Sequence, residues 1–428
     1  MDDAPGTSTS RLPASRLPFY YGWVMIPVTV LGSVVVCPGQ TFGIAEFKGA
    51  LLRDLDLSET SLSGLYMFAT LLAGLTAMVA GAAVDRYGLR RAITITVVLM
   101  GASCVYASRV QGMVSLFVAF TLLRILGHGA LPLMTGNTLA MWFRRRLGLV
   151  TGITGVGSAS VAAGVPALYL WLINSFGWRT ALVILGAATW AIMLPIMAFV
   201  FRNRPIDVGQ HVDGAATDDH HETMEPAKRA QLTEGASFNL SGARRTRAYW
   251  ILLALSGAHG MIFAAVMFHR VQIFESHDLT QADAAAMFAL FCLCSAAAQL
   301  LTAFFADRVP LNLILTCSCA GVTAGLLVLI HLDSLFAGYA FGCLYGLSTG
   351  AEVVGRNTAW PIYFGTRHLG KIKGRAAMVT VMGSSLGPFI VGVSYDHLGG
   401  HNRALWLLAV VYGVIACAML FGGRPRRA

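Results

Sequence analysis

Two charged pairs at helical spacing interrupt otherwise apolar sequence. His128 follows Arg124 by four residues, and Arg356 follows Glu352 by four. Residues four apart share one face of a helix. Ionisable groups in an apolar medium are costly unless paired, neutral or wet, which makes them the first suspects for function. Arg124 can bind or orient an anion, with His128 as a titratable neighbour. It can equally be a packing arginine satisfied by backbone carbonyls, with His128 a neutral hydrogen-bonding group. A carboxylate balanced between burial and a nearby arginine can take up and release a proton. Glu352 fits that role, and it fits equally a static ion pair with Arg356 that closes a gate. Gln40, Asn137, His259, Gln299, Tyr345 and Asn357 are further polar residues expected to face a bundle interior, because polar groups avoid lipid. Each could line a cavity or make an interhelical hydrogen bond.

The composition says what must hold these residues. Of 428 residues, 56% are apolar and only 12% charged. Soluble domains carry roughly 25% charged residues. Mean hydropathy is +0.65. A soluble globule, a disordered chain and a collagen-like repeat are excluded. An integral membrane protein remains, and a helical span needs about 20 mostly apolar residues. Twelve spans are expected, near 22–44, 63–84, 92–108, 113–141, 148–173, 178–201, 247–269, 283–306, 311–331, 335–358, 375–395 and 403–422. The break between the first two is soft. Arg124 then lies near mid-membrane and Glu352 is the only acid well inside a span. The polar stretch 202–246 divides the helices six and six. The expected organisation is a tail 1–21, a bundle 22–201, a central loop 202–246, a second bundle 247–422 and a tail 423–428. Residues 1–21 show no signal-peptide pattern. The eight cysteines fall in apolar stretches and read as buried free thiols.

Charge placement predicts orientation. With the N-terminus inside, inner segments carry 23 Lys and Arg; outer segments carry 6, namely Lys48, Arg53, Arg109, Arg179, Arg270 and Arg403. Both termini are expected in the cytoplasm of a cell (inner) membrane. The net charge of +10 is then explained by topology anchors facing anionic lipid, without nucleic acid.

The two halves echo each other. Gly81–Arg91 reads GAAVDRYGLRR, and Asp307-Arg308 repeats Asp85-Arg86 after the eighth span. A six-plus-six duplication is the pattern of a secondary transporter with its site between two bundles. Gly81, Asp85, Arg86, Gly88, Arg90 and Arg91, with the degraded copy at Asp307 and Arg308, resemble the signature loop of the major facilitator superfamily. Arg124 with Gly127 and Gly129 resembles its fourth-helix motif, and the glycine-rich run 152–166 its fifth helix. The resemblance implies an all-α fold of twelve transmembrane helices in two six-helix bundles, working by alternating access, with the signature loop governing conformational exchange. From the residues themselves, Asp85 reads as an acid that caps or pairs at a helix end, and Arg86, Arg90 and Arg91 as anchors at the lipid surface.

Trp142–Gly148, Phe268-His269, Tyr363–Gly370 and Arg204–Gly209 resemble the monocarboxylate and oxalate–formate branch. That resemblance implies a small organic anion as substrate, and Glu352 balanced beside Arg356 would carry a coupling proton. One departure is that the eighth-helix position where such transporters carry an anion-binding arginine is Gln299 here. Residues 376–395 also hold no lysine or arginine, which argues against a doubly charged substrate. The neutral amide leaves room for a proton-coupled efflux antiporter of hydrophobic or cationic compounds. A non-transporting sensor and an enzyme are disfavoured. No phosphate-binding G-x-x-x-x-G-K-[ST] motif is present, and no cofactor or metal is expected. His220 and His221 beside Asp218 and Asp219 read as a solvated linker.

Overall fold

The computed structural model describes residues 19–130, 138–139, 141–143, 146–214, 238–305, 308–365 and 368–422, without the side chains of 76–85, 129, 130 and 148. Asn137, Asp307 and the paired histidines lie outside these residues, as do the side chains of Gly81 and Asp85.

The described residues form helices and no strand. The first bundle comprises α1 (Gly22–Val35), α2 (Thr41–Asp54), α3 (Glu59–Tyr87), α4 (Leu89–Ala107) and α5 (Met113–Arg124), which continues as a π-helical turn, Ile125–Ala130. It is completed by α6 (Leu147–Phe176) and α7 (Trp178–Pro195). After a short helix, α8 (Leu240–Arg244), the second bundle holds α9 (Arg247–Glu275), α10 (Gln281–Phe305), α11 (Leu311–Ile330), α12 (Leu335–Phe364), α13 (Leu369–Leu398) and α14 (Asn402–Leu420). Among the described residues, nine helical segments are long and apolar enough to cross a membrane. The α3 helix, α5 with its π turn, and α12 stand where the other three spans are expected.

Capping residues set several boundaries. Thr246 accepts from Tyr249 N at 3.3 Å to start α9, and Ser334 from Ala337 N at 3.3 Å to start α12. Gly88 turns α3 into α4 with φ +76°, a conformation that side chains disfavour. Each bundle buries its own apolar cluster, around Met100, Phe120 and Trp142 in the first and Leu255, Phe341 and Leu408 in the second. Phe268 is the exception: it belongs to α9 but is buried in the first bundle's cluster. Large apolar side chains such as Val114, Phe199, Phe304 and Phe336 cover the exterior, as hydrocarbon contact requires.

Several expectations need correction. The first span does not end at residue 44: the chain breaks at Cys37–Gly39 and α2 carries the helix on to Asp54. Pro38 lacks an N–H and interrupts the ladder. Lys48, assigned to an outer segment, therefore lies inside α2, and Arg270, likewise assigned, lies inside α9, which runs on to Glu275; both are fully buried, and Glu352 is not the only acid so placed. Arg90, read as a lipid-surface anchor, is partly exposed and also holds protein: it donates to Met197 O at 2.8 Å and Ala198 O at 2.6 Å, capping the last turn of the sixth span. The eight thiols are free, but Cys317 and Cys417 are exposed on the apolar exterior. The start of the central loop is also not a bare linker. Gln210 accepts from Tyr21 N at 2.8 Å and donates to Phe19 O at 3.0 Å, and Tyr20 OH accepts from Asp213 N at 3.1 Å.

Candidate functional site

Two helix irregularities build the first site. The break at Cys37–Gly39 lies against the π turn Ile125–Ala130, so closely that a Cβ on Gly127 would stand 2.8 Å from Gly39 Cα. Neither helix can satisfy every carbonyl there, and side chains take up the slack. Arg124 Nη1 donates to Gly39 O at 3.0 Å and Nε to Thr70 Oγ1 at 3.1 Å. Gln40 Nε2 donates to Gly127 O at 2.8 Å, and its Oε1 is 3.4 Å from His128 Nδ1. Arg124 is fully buried, its Nη2 makes no hydrogen bond, and its guanidinium lies 5.0 Å from the Tyr66 ring centroid. Every described partner of this cation is neutral. The structure thus brings Gln40, Arg124 and His128 together.

Glu352 on α12 anchors the second site and is fully buried. Tyr412 OH of α14 donates to its Oε2 at 2.6 Å. His259 Nδ1 of α9 is 3.1 Å from Oε1, and Arg356 Nη1, one turn along α12, is 3.7 Å from the same oxygen. All four residues belong to the second bundle. Tyr345 packs beside them between Phe341 and Phe291, at ring distances of 5.2 and 5.5 Å, and its hydroxyl has no partner. Gln299 donates to Ser295 Oγ of its own helix at 3.4 Å. Asn357 is exposed, as are Arg86, Arg91 and Arg308. Among the described residues, Arg124 and Glu352 make no contact with each other.

A third cluster was missed by sequence reasoning. It sits at the end of the molecule where α2 hands over to α3, here the distal face. Lys48 Nζ of α2 pairs with Glu59 Oε2 of α3 at 2.6 Å. The ammonium also reaches His269 Nδ1 at 2.8 Å and Gln272 Oε1 at 3.1 Å, both on α9 of the other bundle. His269 Nε2 is fixed by Pro388 O at 2.9 Å. Arg270 of α9 pairs with Glu46 of α2. Asp396 of α13 accepts from Thr60 N at 2.7 Å. These contacts join the bundles, so the distal face is closed. Between this cluster and the first site lie two rings: Arg124 faces Tyr66, Tyr66 lies 4.5 Å from Phe268, and Lys48 is 5.1 Å from Phe268. The signal that could have found the cluster is the run Glu46-Phe47-Lys48, once the first span is allowed to continue past its break.

Among the described residues no group of three or more His, Cys, Asp or Glu is placed to hold a metal ion. Two membrane-embedded helical bundles with ionisable groups buried at and between them define a membrane transporter. The sequence model of the Major Facilitator Superfamily matches residues 29–274 and 270–428, and the chain belongs to that superfamily. It is similar to monocarboxylate transporter 11 of Homo sapiens, 28% identical over 205 residues, or 45% of this chain and 42% of the relative. Monocarboxylate transporter 7 of Homo sapiens is 27% identical over 171 residues, covering 39% and 32% of the two chains. An uncharacterized MFS-type transporter, YhjX of Escherichia coli (strain K12), is 22% identical over 45% of this chain and 48% of its own. The chain spans less than half the length of these relatives. A bacterial homologue of the human lysosomal transporter Spinster, solved in an inward-facing and occupied conformation, shares the fold with a TM-score of 0.67 at 13% identity, over 94% of this chain and 97% of that one.

Proposed function

We propose that the chain carries a small organic anion, a monocarboxylate, across the membrane by alternating access, coupled to a proton. The observation that carries this reading is the Arg124 guanidinium: fully buried, with neutral partners alone and one nitrogen unpartnered. A fixed positive charge with a free donor suits a carboxylate, which arginine binds through two parallel hydrogen bonds. Glu352 supplies the proton site. It is closed off from water and poised by His259, Arg356 and Tyr412. The names of the two human relatives support the substrate class. The excess of Arg and Lys toward the terminal face supports both termini in the cytoplasm. The six-plus-six division at the central loop remains part of this reading, as do bundles that move as units.

One observation favours a second reading. Phe263, Phe291, Tyr345 and Phe341 form a continuous aromatic wall beside His259, which suits a larger hydrophobic or cationic compound driven out in exchange for protons.

Lumenal pH in proteoliposomes with a trapped dye separates the readings. Lactate, pyruvate, formate, oxalate and a lipophilic cation are added in turn to the native chain and to Glu352→Gln. A pH change with a monocarboxylate that is lost in the variant is the expected result. A response to the cation alone establishes efflux instead. Labelled lactate crossing without a pH change removes proton coupling and leaves Glu352 a gate residue.

A further inference from the structure

The two buried cations of the distal face are not equivalent. Lys48 has its acid, Glu59, on its own bundle, so the pair survives any separation of the bundles. Arg270 has no such partner among the described residues: its acid, Glu46, belongs to the other bundle. Both members are essentially buried, with side-chain exposures of 0% and 3%. When the distal face opens, Glu46 must leave with α2 and Arg270 must stay with α9. A guanidinium does not shed its charge, and a buried charge that loses its partner is strongly penalised. Water or an incoming anion must replace the carboxylate.

The guanidinium is built to accept a replacement. Its Cζ lies 4.6 Å from the Phe288 ring centroid, a cation–π contact that helps hold it in place. Nη1 donates to Met267 O at 3.3 Å, while Nε makes no hydrogen bond. Removing Glu46 therefore leaves Nη2 and Nε together on one edge, the fork that receives a carboxylate through two hydrogen bonds.

We propose that Arg270 is a carboxylate-binding subsite exposed on the distal face when the bundles part, and that Glu46 is its internal occupant in the closed state. The incoming anion and Glu46 exclude each other. The anion thereby favours the distal-open state as it binds. This inference rests on the organic-anion reading above and adds to it a second, state-dependent docking point.

The test is labelled-lactate counterflow in proteoliposomes with the native chain, Glu46→Gln and the double variant Glu46→Gln/Arg270→Gln. Glu46→Gln removes the competitor, and KM for lactate falls by about threefold or more. The double variant strands no charge; its KM rises about tenfold, the worth of one charge-assisted hydrogen bond. Arg270→Lys, which keeps the charge and loses the fork, gives an intermediate rise and serves if the double variant fails to purify as a single species. An unchanged KM in folded Glu46→Gln and in the Arg270 variants overturns the inference and reduces the pair to a closure contact. If the native chain carries no carboxylate, the organic-anion reading itself has failed and the subsite falls with it; that outcome is read before any variant is made.

Discussion

Glu352 and Glu59 are both carboxylates buried beside a cation and a histidine, yet they are held in opposite ways. Around Glu352, the arginine, the histidine and the tyrosine all come from one bundle. Around Glu59, the lysine is its own bundle's but His269 reaches in from the other. A constellation inside one rigid unit keeps its geometry while the units rock, so it can hold a proton in every state. Under the alternating access proposed above, a constellation shared between units is dismantled once per cycle, so it sets when the distal face opens. On the proposed proton-coupled reading, similar side chains serve coupling in one place and closure in the other.

The largest effect that would break this comparison concerns folding. Glu59→Gln leaves Lys48 buried without an acid and should destabilise the protein by about 3–5 kcal/mol, read as thermal melting of the purified protein in detergent. Glu352→Gln strands only Arg356, which is partly exposed, and should cost clearly less. Equal losses would erase the distinction. Next, Arg124→Gln removes a cation whose partners are neutral. Melting should fall by only about 1–3 kcal/mol, while lactate counterflow drops to background. Tyr412→Phe deletes a donor 2.6 Å from Glu352 without changing shape; proton-linked flux should fall about tenfold, with the distal face as tightly closed as before. Asp396→Asn weakens the exposed contact to Thr60 N. It should speed labelling of a Gln272→Cys reporter by an impermeant maleimide about two- to threefold and leave lactate KM alone.

The smallest effect sharpens the comparison through pH. His401, just ahead of α14, is buried, with its ring 5.7 Å from that of His269. Burial, and then the charge on Lys48, bring its pKa down from 6.5 to about 3. The closed state therefore holds the ring neutral, and protonation favours states in which it is wetter. Distal labelling should accelerate as pH falls from about 6.5 toward 3, and His401→Gln should remove that part of the acceleration.

Much of the scaffold was legible in the sequence. Long apolar runs placed most of the spans, because hydrocarbon imposes length and apolarity locally. Glu352 with Arg356, and Arg124 with His128, were legible because helical spacing is local too. His259 and Tyr412 could not be matched to Glu352, since that encounter depends on how α9, α12 and α14 pack. Glu46 and Lys48 were hidden for another reason. Their charges look like the end of a span, and only partners from another helix make the interior tolerable. The Arg90 contact to the sixth span was hidden likewise: a basic residue beside a span end gives the same signal whether it meets lipid or carbonyls.

The break at Cys37–Gly39 also fixes a phase. Each residue advances a helix by about 100°, so the length of the break decides which way α2 presents its side chains. Adding or deleting one residue there would turn Glu46 away from Arg270 and Lys48 away from both Glu59 and His269 at a stroke. It would also withdraw the Gly39 carbonyl from Arg124. The three residues of the break are thus constrained in number even where they are free in kind, and a chain of this type should tolerate substitution at Cys37 far better than any change of length beside it.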